Sequence, residues 1–212
     1  MSLKEYREKR DFRVSPEPSG LASKKRSKRS HSRIYVVQKH QASRLHFDFR
    51  LEHNGVLLSW AVPKRLSLDP SIKRLAIQVE DHPLEYAKFE GVIPESQYGA
   101  GTVMVWDIGT WRPEQDDVTD AIKKGELKFT LRGKKLRGAW VLVRTRGYGR
   151  NTRKSWLLIK HRDRYAPKRE ITIAQPKSVL TGRFLADIAR NGGGDVARAA
   201  RGDPAVGSVR LA

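Results

Sequence analysis

The stretch from Leu45 to Glu52 separates into two sets when read at the two-residue period of a strand. Leu45, Phe47, Phe49 and Leu51 fall on one face, and His46, Asp48, Arg50 and Glu52 on the other. A solvated strand face ordinarily carries Thr, Lys or Ser; this one aligns an imidazole, a carboxylate and a guanidinium roughly 6.5–7 Å apart. The preceding run, Ile34 to His40, places Gln38 and His40 on a face of their own, and the short connection Gln41–Arg44 can return His40 beside His46 and Asp48. Two imidazoles and one carboxylate give a divalent metal three protein ligands and leave positions open for water and substrate, as a catalytic centre requires. The chain has no cysteine, which excludes a thiolate zinc centre and a disulfide framework alike.

Phosphoryl chemistry suits this set. A divalent ion polarises a phosphate oxygen, and Arg50 adds a forked donor pair for the same anion. His82, in Glu80-Asp81-His82-Pro83, is placed at a rim where proline ends a strand, and can complete the pocket either by donating to a nonbridging oxygen or by protonating the departing one. Tyr86 is a further donor or a packing residue. Carboxylate and water ligands favour Mn²⁺, while imidazole also suits Zn²⁺ and Fe²⁺. His31, His53 and His161 have bland surroundings and read as surface histidines.

The elements that must position these groups are short. Strands are predicted over 34–40, 45–52, 56–62, 74–80, 102–107, 126–132, 136–145 and 155–161, with Asn54-Gly55 suited to a tight hairpin turn and Gly133 in a second one. Helices are predicted at 116–124 and, more briefly, at 180–190. The expected fold is mainly β, a compact antiparallel barrel of about eight strands with one or two short helices. Three parts follow: an N-terminal arm over 1–33 carrying the basic run Lys24–Arg33, the barrel over 34–166, and an extension over 167–212. Gly, Ala and Arg dominate that extension from about 191, and it is expected to be largely disordered.

Of 212 residues, 43 are Lys or Arg and 23 are Asp or Glu, a formal charge of +20 that calls for a polyanionic partner, nucleic acid first. No apolar run is long enough for a membrane span and the first residues are polar, so a cytoplasmic, nucleoid-associated protein is expected.

Four stretches resemble the phosphoesterase domain of bacterial DNA ligase D, the module that cleans 3′ ends during nonhomologous end joining. They are RDFRVSPEPSG, YVVQKHQASRLHFDFRLEHNGVLLSWAVPKRLS, LAIQVEDHPLEYAKFEGVIPESQYGAGTVMVWDIGTW and WLLIKHRDRYA, and they span positions 10 to 166 in order. The resemblance implies a β-barrel with Mn²⁺-dependent activity on primer-template or duplex 3′ ends. A phosphodiesterase step removes a 3′-terminal ribonucleoside, and a phosphomonoesterase step then removes the 3′ phosphate. It also implies that His40, His46 and Asp48 ligate the metal, that Arg50 and His82 contact phosphate, that Tyr86 is the active-site tyrosine, and that Arg10, Asp11, Glu17, Gln38 and Arg74 are further polar members of the site. The segment PKSVLTGRFLADIA is similar to the linker leading into the ligase domain, whereas nothing here resembles a nucleotidyltransferase lysine motif or a polymerase. A stand-alone form and an excised domain both fit this pattern, and a ligase, a polymerase or a Ku-type protein engaged in trans is among the partners the resemblance implies.

Two other readings compete. His46-x-Asp48 with a later His82 has the order of a non-haem iron facial triad, but an oxygenase has no use for +20 and leaves His40 and Arg50 without a role. A non-catalytic barrel could hold nucleic acid through Lys, Arg and the five Trp.

Overall fold

The alternation of Leu45–Glu52 becomes the wall of a closed sheet. The computed structural model describes residues 2–21, 32–145, 154–167 and 170–205. Among them the strands are β1 (Arg33–Gln41), β2 (Leu45–His53), β3 (Val56–Val62), β4 (Arg74–Pro83), β5 (Gly91–Ile93), β6 (Gly101–Pro113), β7 (Glu126–Gly133), β8 (Arg137–Arg144) and β9 (Ser155–Lys160). Neighbours run antiparallel in the order β1-β2-β3-β4-β9-β8-β7-β6, and β6 pairs back onto β1, closing an eight-stranded barrel with β5 attached to β6. The expected fold class is borne out. Closure leaves β1–β4 and β6–β9 without unpaired edges inside the ring. The β2–β3 hairpin turns on Asn54 and Gly55, both at positive φ, as the Asn-Gly pair predicted.

The barrel interior is apolar. Phe47, Phe49 and Leu51 of β2 point into it with Leu58, Trp60 and Val62 of β3 and Met104 and Trp106 of β6. All five tryptophans are at most 1 % exposed, so none is available as a base-stacking surface, and the binding-module reading loses that support.

A second, smaller cluster lies on the opposite side of the same strands. Val36, Leu57 and Val105 pack there against Tyr6, Tyr86 and Ala87, with Phe12, Leu84 and Phe89 at the margin. Tyr6 comes from the short helix α1 (Lys4–Glu8), and Tyr86 from the 3₁₀ turn Leu84–Lys88 that follows Pro83. The N-terminal segment therefore covers part of the outer face of the barrel. Its basic run lies outside the described residues apart from Ser32 and Arg33.

The helix predicted at 116–124 is α2 (Val118–Lys124), capped at its start by the Asp117 carboxylate, which accepts from the Asp120 amide. The extension departs from expectation. Described residues through 205 form α3 (Ile171–Ala174), α4 (Leu185–Asn191) and α5 (Val196–Ala200), and Leu185, Ile188 and Ala199 join the main core. Composition misled here because few apolar residues suffice when carboxylates finish the helices. Asp203 accepts from the Leu185 and Ala186 amides and Asp195 caps α5, while Gly192 and Gly194 admit the Val92 side chain closely. Among the described residues no helix is long and apolar enough to cross a membrane.

Candidate metal-centred active site

Strand pairing brings the polar residues together. On β1 and β2, His40 pairs with His46, Gln38 with Asp48 and Val36 with Arg50; across to β3, Arg50 pairs with Ser59. Residues directly opposite share a face, so His40, His46, Gln38, Asp48, Arg50 and Ser59 all project outward from the barrel. One irregularity adds His82. Between Ser59↔Val79 and Leu57↔His82, β3 advances two residues and β4 three. This bulge turns His82 onto the face of Ser59, whereas strict alternation from Val79 would send it to the other side.

A cleft of about 290 Å³ opens over these residues, lined by His40, His46, Asp48, Arg50, His82 and Tyr86 together with Arg10, Glu80, Ile93, Tyr98 and Gly99. At its floor, candidate ligand atoms of His40, His46 and Asp48 lie within 4.8 Å of one another. Asp48 Oδ2 is 3.6 Å from His40 Nδ1, 3.7 Å from His46 Nε2 and 3.3 Å from Arg50 Nη2.

The protonation states fit a divalent ion. Burial alone would raise the Asp48 carboxyl, but Arg50, His46 and His40 outweigh it and hold the group well below the usual carboxylate range, so it is an anion. Burial pushes His40 down toward neutral imidazole, against the opposing pull of Asp48. His46 Nδ1 lies 3.1 Å from the Arg44 carbonyl and donates to it, which turns Nε2 toward Asp48. His40 presents Nδ1 to Asp48, and its other ring nitrogen, Nε2, is buried without a hydrogen-bond partner among the described residues.

Around this floor the cations are held in place. Arg50 donates from Nε to Gln38 Oε1 and from Nη1 to Ser59 Oγ, both at 2.8 Å, and its guanidinium lies over the Tyr86 ring. Gln38 is in turn fixed by donating to the Tyr86 and Phe89 carbonyls. Arg10 donates to Glu17 Oε1 at 2.9 Å and to Glu80 Oε1 at 3.2 Å, with its Nη2 3.4 Å from His82 Nε2. Tyr86 also donates to Glu17, and burial with that carboxylate nearby drives its hydroxyl well above the ordinary value. His82 Nδ1 donates to the Glu80 carbonyl, and burial, then Arg50 and Arg10, push the ring well below its usual pKa. His82 is thus a neutral imidazole with Nε2 as acceptor.

Of the sequence-predicted residues, His40, His46, Asp48, Arg50, His82, Tyr86, Arg10, Glu17 and Gln38 converge. Asp11 and Arg74 do not line the cleft. Asp11 faces outward and pairs with Arg13 at 2.8 Å, while Arg74 begins β4, opposite Leu158 and eight residues before His82. His82 is buried rather than at an open rim. His53 is likewise buried, its Nε2 2.9 Å from Thr119 Oγ1 of α2, because a strand end that looks bland in sequence is covered by a helix. His31 lies outside the described residues. The facial triad His46–Asp48–His82 is not the set that converges, since His40 takes the third place. Sequence reasoning missed Ser59, Glu80, Tyr6 and Tyr98. The β3 register could have revealed Ser59; the others depend on the bulge and on the N-terminal cover, for which no periodicity exists.

Comparison with known proteins points the same way. A sequence-family model described as "DNA Ligase D 3'-phosphoesterase domain" matches residues 38–144. The chain is similar to the multifunctional non-homologous end joining protein LigD of Pseudomonas aeruginosa, 52 % identical over 186 residues, which are 86 % of this chain and 22 % of that protein. It is 46 % identical over 145 residues to the multifunctional non-homologous end joining DNA repair protein LigD of Mycobacterium tuberculosis, covering 68 % of this chain and 18 % of the relative. The LigD protein of Mycolicibacterium smegmatis is 40 % identical over 166 residues, 76 % of this chain and 21 % of its own length. The chain thus spans about a fifth of the curated relatives it matches.

Proposed function

This chain belongs to the DNA ligase D 3′-phosphoesterase domain family, and from that premise we propose that it is a divalent-metal-dependent hydrolase that trims nucleic acid 3′ ends in nonhomologous end joining. The observation that carries the reading is the convergence of His40, His46 and Asp48 beneath Arg50. In this reading the three hold the metal, with Mn²⁺ preferred and Zn²⁺ also compatible with the donors. What the bound ion supplies is Lewis acidity toward a phosphate oxygen and a more acidic bound water.

The chain's own residues do the rest. Arg50 donates to Gln38 and Ser59 and pairs with Asp48, and of its five donors the rest have no hydrogen-bond partner among the described residues and can meet a phosphate oxygen in an orientation that needs no rearrangement on binding. Arg10, locked by Glu17 and Glu80, offers a second cation from the N-terminal cover. His82 enters neutral, held so first by burial and then by Arg50 and Arg10; a phosphate dianion bound between the two guanidiniums offsets their repulsion, and Nε2, once protonated in that complex, can donate to a phosphate or departing oxygen. Glu17 and Gln38 position these groups. The substrates proposed are primer-template or duplex ends bearing a 3′ ribonucleoside or a 3′ phosphate. Diester hydrolysis releases the nucleoside, and monoester hydrolysis releases phosphate and leaves a 3′ hydroxyl. A charge of +20 supports a nucleic acid partner. A nucleoid-associated cytoplasmic setting, with ligase, polymerase or Ku-type partners in trans, completes the proposal.

The test is an end-labelled primer-template with one 3′ ribonucleotide, incubated with Mn²⁺, Zn²⁺ or Mg²⁺. Sequential appearance of the 3′-phosphate and 3′-hydroxyl strands with Mn²⁺ is expected. Tight, salt-dependent binding without product would instead favour a non-catalytic module.

A further inference from the structure

Tyr98 stands out among the cleft residues. It is 52 % exposed, whereas the other aromatic side chains of the site, Tyr6 and Tyr86, are buried. It lines the cleft and reaches it from the turn between β5 and β6, where Gln97 N–H donates to the Pro94 carbonyl and Ala100 N–H to the Gln97 carbonyl. That turn is held from two sides. Gln97 Oε1 accepts from the Asp11 amide of the N-terminal segment. Gly99, at φ +79°, passes so near the metal floor that a Cβ there would lie 3.9 Å from His40 Cε1. The adjoining tyrosine is therefore carried to the mouth of the cleft by backbone that touches its floor.

Two cations lie against the ring. Lys9 Nζ lies 4.8 Å from its centroid and the Arg10 guanidinium 5.7 Å. Lys9 is fixed by Glu80 at 3.0 Å, and Arg10 by Glu17 and Glu80. Two tethered cations lie against an aromatic ring that remains half exposed among the described residues, which leaves a polarised π surface open to a ligand. Core packing does not explain that exposure. Arg10 also reaches His82 at 3.4 Å, so a single guanidinium separates the phosphate end of the cleft from the tyrosine, much as a sugar separates phosphate from base within one nucleotide.

We propose that Tyr98 forms a nucleobase subsite, on which the base at the 3′ end of the substrate strand stacks while the phosphate occupies the Arg50–His82 end. This rests on the phosphoesterase reading and deepens it. Stacking on the ring is tolerant of base identity, because every base presents a π face.

Two measurements test it. The first compares kcat/KM on a 3′-phosphorylated strand with a normal terminal base and on the same strand ending in an abasic sugar phosphate. The wild type should prefer the base-bearing end by about 5- to 150-fold, the range for stacking one base. Tyr98→Ala should bring that ratio close to one, chiefly through KM, and Tyr98→Phe should keep it. The second needs neither metal nor turnover: a strand ending in 2-aminopurine should lose fluorescence on binding wild type or Tyr98→Phe, but not Tyr98→Ala. Equal wild-type processing of base-bearing and abasic ends, or quenching that survives Tyr98→Ala, would overturn the subsite while leaving the phosphoesterase reading intact. Failure of the wild type to process either end would sink that reading itself, and the fluorescence arm would then judge the subsite alone.

Discussion

The two faces of β2 differ in what holds them. Phe47, Phe49 and Leu51 are buried by the rest of the barrel, so their environment is a consequence of closing the sheet. Asp48 and Arg50, on the reverse face, are almost as deeply buried, yet what covers them is a separate piece of chain, α1, the turn after Pro83 and the loop carrying Tyr98. Removing apolar surface from water stabilises the first face directly. The second face has cations and carboxylates out of water and is tolerable only because almost every group has a partner, from Glu17–Arg10–Glu80 to Gln38–Arg50–Ser59. One face gives the molecule its shape, and the other is a strained concentration of charge that a substrate phosphate and a metal can exploit.

Substitutions on the two faces should therefore separate activity from stability. The largest expected effect on activity comes from His46→Ala and Asp48→Ala, which abolish both 3′-processing steps while circular dichroism and the melting transition still report a folded barrel. End processing retained by either variant would remove the metal assignment. Next to Asp48 in sequence but on the other face, Phe49→Ala should cost ~3–5 kcal/mol of stability, measured by urea unfolding, with the fraction that remains folded still active. A smaller effect is expected from Gln38→Ala, which leaves the Arg50 Nε donor without its partner. A lost hydrogen bond to a charged group is worth roughly 1.5–3 kcal/mol, so stability in urea should fall by about that much, and kcat/KM of the folded fraction should fall as Arg50 loses its orientation. An unchanged kcat/KM would show that Arg50 needs no positioning.

How much of this was legible in sequence follows the same division. The interior face could be read from the alternation Leu45, Phe47, Phe49, Leu51 and from the Asn54-Gly55 turn, because both are local signals. His40, His46, Asp48 and Arg50 were legible for the same reason, as the complement of that alternation. What escaped was non-local. The bulge that turns His82 onto the outer face of the barrel, with Ser59, has no signature in Glu80-Asp81-His82-Pro83, and β5 is only three residues long. The burial of His53 needs α2 to be placed first. Arg10 and Glu17 were placed at the site through family resemblance, since the polar N-terminal segment has no period to betray that Tyr6 anchors it. The helices after Ile171 escaped because Asp195 and Asp203 stabilise them through caps and not through composition.

A third region sharpens the contrast by its pH dependence. Lys135, over the Trp106 ring, donates to the Gln175 and Lys177 carbonyls at the start of the C-terminal segment, and burial pushes its ammonium down to about 7. In the unfolded chain the group keeps an ordinary lysine value near 10.4. Between those values the unfolded state binds a proton that the folded state does not, so stability should rise as pH increases from about 7 toward 10. Melting temperatures across that window should climb for the wild type and climb less for Lys135→Met. Identical slopes would mean that the lysine is solvated and does not anchor the segment.

The central claim is that His40, His46 and Asp48 form one metal centre on which end processing depends. The most direct measurement is Mn²⁺ binding followed by electron paramagnetic resonance, on wild type and Asp48→Ala, with end cleavage assayed on the same samples. One tightly bound Mn²⁺ per wild-type chain is predicted, with binding and cleavage lost together in the folded variant. Undiminished binding and cleavage in Asp48→Ala would contradict the account.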